Sequence, residues 1–362
     1  MSQRIVLTGG GTAGHVTPNL ALIEVLKEEN WQIDYIGSKN GVEEKMIKAV
    51  NVPFHAISSG KLRRYFSWQN FLDPFLILKG IVQSFCLLKR LQTEVVFSKG
   101  GFVAFPVVFA AWLRGIPVIA HESDLTPGLA NRLSFPFVNK IAVNFDTASK
   151  HFKQKEKVEV TGTPIRSALF RGDKQKGLAL CGFNIEKPCL LVMGGSLGAA
   201  KLNDVIRKSL PALTREFQVI HLCGKGKLDL SLNNSSYHQL EYADEELPHL
   251  FAASDLIISR AGANSIYEIL ALQKPHILIP LSARVSRGDQ IQNARYFKQQ
   301  NISVVLDDDL FDETDLLKAI EEVKEGREHI LDNIRLLGIE SATEKVLALI
   351  KELLRVESPK AV

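Results

Sequence analysis

The sequence predicts an α/β protein made of two Rossmann-like, doubly wound domains that face each other across a cleft. The length of 362 residues corresponds to about two ordinary domains. Short β-branched segments alternate with longer amphipathic ones, the pattern of parallel sheets covered by helices. Each half also opens with an apolar strand that runs directly into a glycine turn, at Gly9 and again at Gly194. This near-duplication is the strongest indication of two similar domains.

Six segments of the first half have the composition of buried strands. They are Ile5–Thr8, Gln32–Ile36, Val95–Ser98, Val118–His121, Lys140–Val143 and Val158–Thr161. A helical period follows the first strand over Pro18–Glu28. The apolar stretch from Phe102 to Ala120 is interrupted by prolines and by Arg114-Gly115, so a helix, a turn and a strand are expected there rather than a membrane span.

The second half repeats this layout. Its predicted strands are Cys189–Met193, Gln218–Leu222, Leu256–Ser259, His276–Pro280 and Ser303–Leu306, with helices over Leu202–Leu213 and Asn264–Leu272. Gly162-Thr163-Pro164 suits a domain boundary, because glycine and proline interrupt regular structure. We therefore expect an N-terminal domain over residues 1–163, a C-terminal domain over residues 164–340, and a last helix over residues 341–356 that packs back on the N-terminal domain.

Composition restricts the class of function. A net charge of +4 is too small to indicate nucleic-acid binding. The four cysteines are scattered without the spacing of a metal site, so we expect reduced, small apolar residues and a cytosolic compartment. The apolar run before the first glycines has only about four residues, shorter than a signal peptide requires.

The first glycine turn, Gly9-x-Gly11-x-x-Gly14, allows backbone amides to approach a phosphate closely. It also matches the dinucleotide fingerprint, and Asp34 lies where an NAD-dependent dehydrogenase has its ribose-binding acid. Against that alternative, the second half repeats the glycine turn, Asp34 falls inside a predicted strand, and the loop ends in the titratable His15.

The segment from Ser259 to Glu268 predicts a strand, a turn of small residues and a helix N-terminus. Amides at such a terminus can receive a diphosphate, and the carboxylate of Glu268, one or two turns into the helix, can accept both ribose hydroxyls. A capped helix with a solvated glutamate is the alternative. Downstream, Gln290 is a candidate to bind a sugar hydroxyl. We interpret Asp307-Asp308-Asp309 as an acidic turn before a helix rather than a metal site.

Between Lys61 and Arg90, apolar residues recur at helical spacing beside basic clusters. The apolar residues are Phe71, Phe75, Leu78, Val82, Phe85 and Leu88; the basic ones are Lys61, Arg63, Arg64, Lys89 and Arg90; and Tyr65, Phe66 and Trp68 precede the helix. One interpretation is an interfacial helix that binds anionic lipid. The other is a helix whose apolar face is buried against the sheet.

Seven motifs, in order, resemble those of one family of enzymes. They are GGGTAGH, SKGGF, HESDLTPGLANR, GTPIR, GGSLGA, RAGANSIYE and SRGDQIQNA. The chain resembles, from Ile5 to about Lys351, the bacterial peptidoglycan N-acetylglucosaminyltransferases that convert lipid I to lipid II. Seven ordered motifs are far more specific than any one of them.

The resemblance implies a GT-B fold and an inverting transfer of N-acetylglucosamine from UDP-N-acetylglucosamine to the 4-hydroxyl of the N-acetylmuramyl residue of lipid I. It implies no metal and no other cofactor. The expected partners are the donor, lipid I, an anionic membrane surface and other cell-wall and division proteins, with no nucleic acid. The expected location is peripheral, on the cytoplasmic side of the bacterial inner membrane.

The resemblance also implies roles for individual residues. Glu268 resembles the ribose-binding acid, and Gln290 resembles a contact to the sugar. The other donor-side positions are Arg166, Ser196, Ala243, Ala263, Asn264 and Ser265. The N-terminal loops contribute Thr12, Ala13, Gly14 and Asp124, where some members have asparagine in place of Asp124. His15, His121 and Glu122 resemble acceptor-side residues, with His15 the first candidate for the general base and Glu122 the second.

Two further functions compete with this one. The same fold can transfer a UDP-sugar to a different acceptor, and a nucleotide-binding module of a cell-envelope complex would need no enzymatic activity. Intact motifs on both the donor and the acceptor side favour the peptidoglycan enzyme.

Overall fold

The computed structural model describes residues 2–60, 69–195, 198–232, 234–339 and 342–357. The described residues form two compact units, one within Met1–Arg166 and Ser341–Val362 and the other within Ser167–Glu340. Lys61–Trp68, which includes the first basic cluster of the predicted interfacial segment, lies outside the described residues, as does Ser196.

The first unit contains a seven-stranded parallel sheet in the order β3-β2-β1-β4-β5-β6-β7. The strands are β1 (Arg4–Thr8), β2 (Gln32–Ser38), β3 (Phe54–Ile57), β4 (Val95–Ser98), β5 (Val118–Glu122), β6 (Lys140–Val143) and β7 (Val158–Val160). The helices that connect them are α1 (Thr17–Glu28), α2 (Val42–Ala49), α3 (Gln69–Arg90), α4 (Ala104–Leu113) and α5 (Leu129–Ser134). Every residue of β4 and β5 is buried, as expected for a parallel sheet covered on both faces.

The second unit repeats the arrangement with a six-stranded parallel sheet in the order β10-β9-β8-β11-β12-β13. Its strands are β8 (Cys189–Met193), β9 (Gln218–Leu222), β10 (Tyr237–Leu240), β11 (Leu256–Ser259), β12 (His276–Leu278) and β13 (Val304–Val305). Its helices are α6 (Lys174–Cys181), α7 (Ala200–Glu216), α8 (Leu247–Ala253), α9 (Ala263–Ala271), α10 (Asp289–Gln299), α11 (Glu313–Glu325) and α12 (Arg327–Leu336).

The two sheets therefore share one topology, and the predicted pair of Rossmann-like folds is confirmed. In each sheet the first strand lies between the second and the fourth, so the chain direction across the sheet reverses between β1 and β4 and between β8 and β11. Loops at the carboxyl ends of the strands on either side of such a switch point are where doubly wound folds bind ligands.

The last helix, α13 (Ala342–Glu357), belongs to the first unit. Val346, Leu349, Ile350 and Leu353 on one side of it join the core formed by β1, α1 and β4. The amide of Ile165 also donates a hydrogen bond to the hydroxyl of Thr343 (3.1 Å), which fixes the chain where it leaves the first sheet.

Two strands, β3 and β10, are absent from the sequence prediction. Both are four-residue strands at the edge of a sheet, and most of their residues are only partly buried. Edge strands need no continuous apolar run, because one side of the strand has no neighbour to cover it. The predicted helices and central strands agree with the structure to within a few residues at their ends.

Candidate functional site

The first glycine loop joins β1 to α1 and brings polar groups to the surface of the first unit. Gly11 has φ +89°, and a Cβ atom there would come within 2.5 Å of the Phe102 ring. Thr12 and Gly14 are exposed, and Ala13 and His15 are partly exposed. The hydroxyl of Thr12 and Nδ1 of His15 lie 2.9 Å apart, so the imidazole is oriented through Nδ1.

Buried polar groups hold this loop from beneath. Tyr35 on β2 donates its hydroxyl to the carbonyl of Gly9 (2.7 Å), and Asn19 on α1 donates to the Tyr35 oxygen (3.1 Å). Burial raises the pKa of Tyr35, so its hydroxyl remains a neutral donor. Asn19 also donates to the carbonyl of Thr8 (3.3 Å), which ties the loop to the end of β1.

Glu43 on α2 is a third support, which the sequence analysis does not identify. Its side chain has no exposed surface. The carboxylate accepts hydrogen bonds from the amide of Gly11 (3.2 Å), from the amide of Ser38 (3.0 Å) and from the Ser38 hydroxyl. A buried carboxylate costs free energy unless it is fully bonded, so this residue is a fixed element of the loop structure.

The carboxyl end of β5 carries His121, which the sequence analysis places on the acceptor side. The side chain is completely buried, and Nε2 donates to the carbonyl of Gly162 (2.8 Å). Burial, with the charge of nearby Lys99, lowers the pKa of His121 well below its usual value. Because His121 has no exposed surface, its expected role on the acceptor side remains a prediction.

Glu122, the next residue, is saturated by hydrogen bonds within its own loop. Its carboxylate accepts from the amides of Asp124 and Gly128, both at 3.0 Å, and from the side chain of Asn131 at 2.9 Å. Only 5% of the residue is exposed. Glu122 therefore orders the loop that presents the partly exposed Asp124.

Lys99, directly after β4, is a buried cation beside this loop and is 1% exposed. Burial lowers its pKa to about 8, although the carboxylates of Glu122 and Asp124 act in the opposite direction. The first unit thus places a lysine, two carboxylates and the His15 loop at the carboxyl ends of three neighbouring strands.

In the second unit, a cavity of about 160 Å³ lies at the corresponding edge of the sheet. Met193, Leu222 and Ser259, the last residues of β8, β9 and β11, line it. Three residues that the sequence analysis assigns to the donor, Ala243, Ser265 and Glu268, line the same cavity, as does Gly195 of the second glycine loop.

The apolar wall of this cavity is formed by residues that the sequence analysis does not identify. Tyr242, Leu247 and Phe251 line it, and Phe251 has no exposed surface. The position of Leu247 and Phe251 depends on how α8 packs beside β8, and no local motif indicates it. Arg260 also lines the cavity and forms an ion pair with Asp308 (2.7 Å), with both side chains 11% exposed.

The helix N-terminus beside the cavity has the predicted form. Gly262 caps α9 in an extended conformation (ψ 134°), and Ala263, Asn264 and Ser265 form the first turn. Glu268 is partly exposed and lies in the second turn. The first amides of a helix have no partners within it and carry a positive partial charge, so this turn can bind an anion.

Gln290 has a different environment from the one expected. Its side-chain oxygen accepts a hydrogen bond from the amide of Leu281 (3.0 Å), so it orders the loop between β12 and α10. Arg166 is partly buried and ends the first stretch of the first unit. Contacts of either residue with a donor remain predictions.

Asp34 does not have the geometry of a ribose-binding acid. It lies in the middle of β2, and its carboxylate contacts Nε2 of His55 on the edge strand at 2.7 Å. In the acidic turn, the ion pair of Asp308 with Arg260 and a hydrogen bond from Ser282 to Asp309 (2.8 Å) engage the carboxylates. Among the residues that the structure describes, no group of three or more His, Cys, Asp or Glu side chains is placed to hold a metal ion.

Two domain families match the chain. The glycosyltransferase family 28 N-terminal domain matches residues 5–143, and the glycosyltransferase family 28 C-terminal domain matches residues 189–349. The first match covers β1 to β6 and the second covers β8 to β13.

Relatives from two genera of bacteria that match over nearly their whole length have the same name. The chain is 62% identical over 363 residues to the UDP-N-acetylglucosamine–N-acetylmuramyl-(pentapeptide) pyrophosphoryl-undecaprenol N-acetylglucosamine transferase of Legionella pneumophila (strain Paris), with 100% of each chain covered. It is 54% identical over 351 residues to the transferase of the same name from Lachnoclostridium phytofermentans, with 97% of this chain and 99% of that one covered.

Solved structures share the fold. The crystal structure of Acinetobacter baumannii MurG has a TM-score of 0.73 at 24% identity, covering 97% of this chain and 99% of that chain. The UDP-GlcNAc 2-epimerase from Neisseria meningitidis, bound to UDP-GlcNAc, has a TM-score of 0.69 at 14% identity, covering 97% and 100%. At such identities the likeness establishes the fold alone.

Proposed function

The chain belongs to the family of UDP-N-acetylglucosamine–N-acetylmuramyl-(pentapeptide) pyrophosphoryl-undecaprenol N-acetylglucosamine transferases, and we propose how its residues carry out that reaction. The chain transfers N-acetylglucosamine from UDP-N-acetylglucosamine to the 4-hydroxyl of the N-acetylmuramyl residue of lipid I, which gives lipid II for peptidoglycan synthesis. The three competing hypotheses are therefore wrong: an NAD-dependent dehydrogenase, a transferase with another acceptor, and a non-enzymatic nucleotide-binding module.

We assign the donor's nucleoside to the cavity at the ends of β8, β9 and β11. The observation that carries this assignment is the convergence of Ala243, Ser265 and Glu268 on one cavity with an apolar wall. Leu247 and Phe251 suit the face of a uracil ring. The carboxylate of Glu268 has the acceptor capacity to bind both hydroxyls of the ribose.

The donor diphosphate then meets the first turn of α9 and the glycine loop after β8. Departure of UDP leaves negative charge on the diphosphate, and fixed amide dipoles stabilise such charge without reorganisation. Gly195 has φ +85° and nothing within 4 Å of a built Cβ atom, so its backbone is open to a close approach. Arg166 is proposed to add a positive charge to the same group.

His15 is the proposed general base for the acceptor hydroxyl. Its contact with the Thr12 hydroxyl has a consequence for the tautomer. When Nδ1–H donates to Thr12, Nε2 carries no proton and can take one from the muramyl 4-hydroxyl. The opposite tautomer could not act as a base, so Thr12 has a defined role as an acceptor.

Glu122 is less suited to that task than the sequence analysis expects. A base must release its hydrogen bonds as it takes a proton, and Glu122 is bonded to two amides and to Asn131. We propose that Glu122 and His121 position the loop at Asp124, where the acceptor binds.

We propose a peripheral location on the cytoplasmic side of the inner membrane. No helix in the described part of the chain is long and apolar enough to cross a bilayer. Helix α3 instead exposes Phe75 (72%), Leu78 (61%) and Val82 (57%), while Leu88 is buried. We define the α3 apolar surface as Phe75, Leu78, Val82 and Phe85, together with Trp112 and Leu113 of α4.

The exposure of these residues favours the interfacial interpretation of this helix. Apolar side chains beside cations bind a bilayer surface by burial and by attraction to anionic lipid together. Arg114 lies over the Phe85 ring at 4.8 Å, and Lys89 and Arg90 end the helix. The acceptor is a polyprenyl lipid, so an enzyme that binds it benefits from such a surface.

A transfer assay tests the reaction. Purified protein with labelled UDP-N-acetylglucosamine and a lipid I analogue is expected to form the lipid II product at the same rate with and without EDTA. Loss of transfer on chelation, restored by a divalent cation, would contradict the proposal that amide dipoles and Arg166 alone stabilise the departing UDP. No product under either condition would contradict the proposed substrates.

A further inference from the structure

A polar recess of about 690 Å³ opens beside the first glycine loop and has no role in the assignments above. It is bounded by the carboxyl ends of β2 and β3, by Gly11 and Phe102 at one end and by α3 at the other. Lys39, Lys79, Ser58 and Gln83 line it, and we call it the lysine recess. We propose that the lysine recess binds the diphosphate of the lipid-linked acceptor, an inference that rests on the proposed assignment of the first unit to that acceptor.

The charge of the recess selects an anion. Lys39 and Lys79 are the charged residues among the described residues that line it, and none of these is acidic. The carboxylate of Glu43 lies below the same loop, but it has no exposed surface and its hydrogen bonds are internal. The charge of Glu44 on α2 also acts on Lys39, but the Glu44 carboxylate does not line the recess and is already bound to Lys48 (2.7 Å) and to the amide of Asn40 (2.8 Å). Two ammonium groups in a lining without a carboxylate are suited to a diphosphate, which offers several charged oxygens.

The walls of the recess are fixed before any ligand binds. The amide of Ser58 donates to the side-chain oxygen of Gln83 (2.7 Å), which joins the end of β3 to α3. Helix α3 approaches so closely that a Cβ atom on Gly80 would lie 2.2 Å from the Ser58 carbonyl oxygen. Glu43 holds Ser38, the residue before Lys39. A site formed in advance loses less free energy to ordering when it binds.

The order of chemical groups in the acceptor matches the order of features on this unit. The acceptor runs from a polyprenyl chain through a diphosphate to the muramyl sugar. The first unit runs from the α3 apolar surface through the lysine recess to the glycine loop that carries His15. Lys79 follows Leu78 on the same helix, so the recess and the apolar surface are adjacent. The diphosphate is the acceptor group that belongs between the membrane and the reacting hydroxyl.

Steady-state kinetics of the full chain test the inference with Lys39→Gln, Lys79→Gln and the double variant. The acceptor is a lipid I analogue with a short, water-soluble prenyl chain, so membrane binding does not contribute. Lys45→Gln on α2 and Lys27→Gln on α1 are matched controls, because both lysines are exposed and neither lines the recess. A second acceptor, the muramyl pentapeptide as a simple glycoside without diphosphate, separates recognition of the diphosphate from recognition of the peptide carboxylates.

The KM for the short-chain acceptor is expected to rise about tenfold in each single variant and about 100-fold in the double variant, as for loss of charge-assisted hydrogen bonds. In the recess variants, kcat and the KM for UDP-N-acetylglucosamine are expected to stay within about twofold of the wild type. In both control variants, the KM for the acceptor is expected to stay within the same limit. On the glycoside acceptor, wild type and double variant are expected to be equal.

An unchanged acceptor KM in the double variant would overturn the inference. An equal rise of the acceptor KM in the control variants would indicate a general electrostatic attraction between the positive surface and the acceptor, and it would also overturn the inference. If the double variant also has a raised KM for the glycoside acceptor, the lysines recognise the peptide carboxylates and not the diphosphate. In each of these cases the wild type still transfers the sugar, whereas failure of the wild type on every lipid-linked acceptor would contradict the proposed function itself.

Discussion

The buried carboxylate of Glu43 accepts a hydrogen bond from the amide of Gly11 at 3.2 Å, and this contact joins the loop that carries His15 to the loop after β2. The neighbouring glycines permit this close packing, because a side chain at either position would clash with Glu43. A Cβ atom on Gly10 or Gly41 would lie 2.4 Å from the carboxyl group of Glu43. The glycines of this region therefore allow close packing around Glu43 as well as access for a ligand.

Replacing Glu43 is expected to reduce turnover by displacing the His15 loop. In Glu43→Gln one oxygen becomes an NH2 donor, which opposes the donors at Gly11 and Ser38. We expect kcat to fall by about tenfold to 100-fold, with the KM for UDP-N-acetylglucosamine within about twofold.

The control is Glu28→Gln, since Glu28 is exposed at the end of α1. The thermal midpoint of each variant is measured beside its kcat. A lower kcat in a variant whose midpoint lies well above the assay temperature indicates a misplaced loop rather than unfolding. A folded Glu43→Gln protein with wild-type kcat would contradict the positioning role.

His15→Ala is expected to lower kcat by about 10²–10⁴-fold, the usual contribution of a positioned general base. Thr12→Val, which removes the acceptor for Nδ1–H, should lower kcat by a smaller factor, because the favoured tautomer is lost while the imidazole remains. Glu122→Gln should mainly raise the acceptor KM, since it weakens the loop at Asp124. A loss of less than about tenfold in His15→Ala, together with inactive Glu122→Gln, would reverse the assignment of the base.

Much of the fold can be predicted from local sequence. The remaining parts could not be predicted, and all of them for the same physical reason. Central strands such as Val95–Ser98 are predictable because both faces are buried and the run is apolar. The edge strand Tyr237–Leu240 is not, because it is only partly covered. The glycine loops and Glu268 can be identified from spacing along the chain. Glu43 and Phe251 cannot, because their roles depend on contacts between elements that are distant in sequence.

Glu268→Gln is expected to weaken the binding of UDP by about tenfold, through loss of the charged acceptor for the ribose hydroxyls. The specific check compares UDP with 2′-deoxy-UDP by calorimetry. The wild type should prefer UDP, whereas the variant should show a smaller preference, because the neutral amide oxygen is a weaker acceptor for the 2′-hydroxyl than a carboxylate. The same two nucleotides are compared in Gln290→Ala. The side-chain oxygen of Gln290 accepts a hydrogen bond from the amide of Leu281, so this substitution does not remove a ribose acceptor. A variant that keeps the full preference for UDP would place the ribose elsewhere.

The α3 apolar surface is expected to bind vesicles that contain anionic lipid. Phe75→Ser with Leu78→Ser removes apolar area that is already exposed, so co-sedimentation should fall severalfold while the thermal midpoint changes little. Lys89→Glu with Arg90→Glu should abolish the dependence on anionic lipid. Leu230→Ser is the control, since Leu230 is 89% exposed on the second unit. Binding that is the same in all variants would favour a different membrane contact.

Acid is expected to destabilise the second unit through two buried histidines. His221 contacts Tyr237 and Asn203, and His276 contacts Ser303. Burial lowers the pKa of His221 to about 3, with a further contribution from Arg207, and burial lowers that of His276 to about 4. In the unfolded chain both values are near 6.5, so below about pH 6.5 the unfolded state binds more protons.

The free energy of unfolding should therefore fall as the pH drops from about 6.5 towards about 4, by up to about 1.4 kcal/mol per pH unit for each histidine. His276→Gln removes one of these groups, so its thermal midpoint should decrease less between pH 7 and pH 5 than that of the wild type. The exposed His329, replaced by Gln, is the control and should leave the decrease unchanged. The compared quantity is the change with pH, which does not depend on the stability that the substitution itself removes. Equal decreases in wild type and His276→Gln would mean that His276 is not buried as a neutral group.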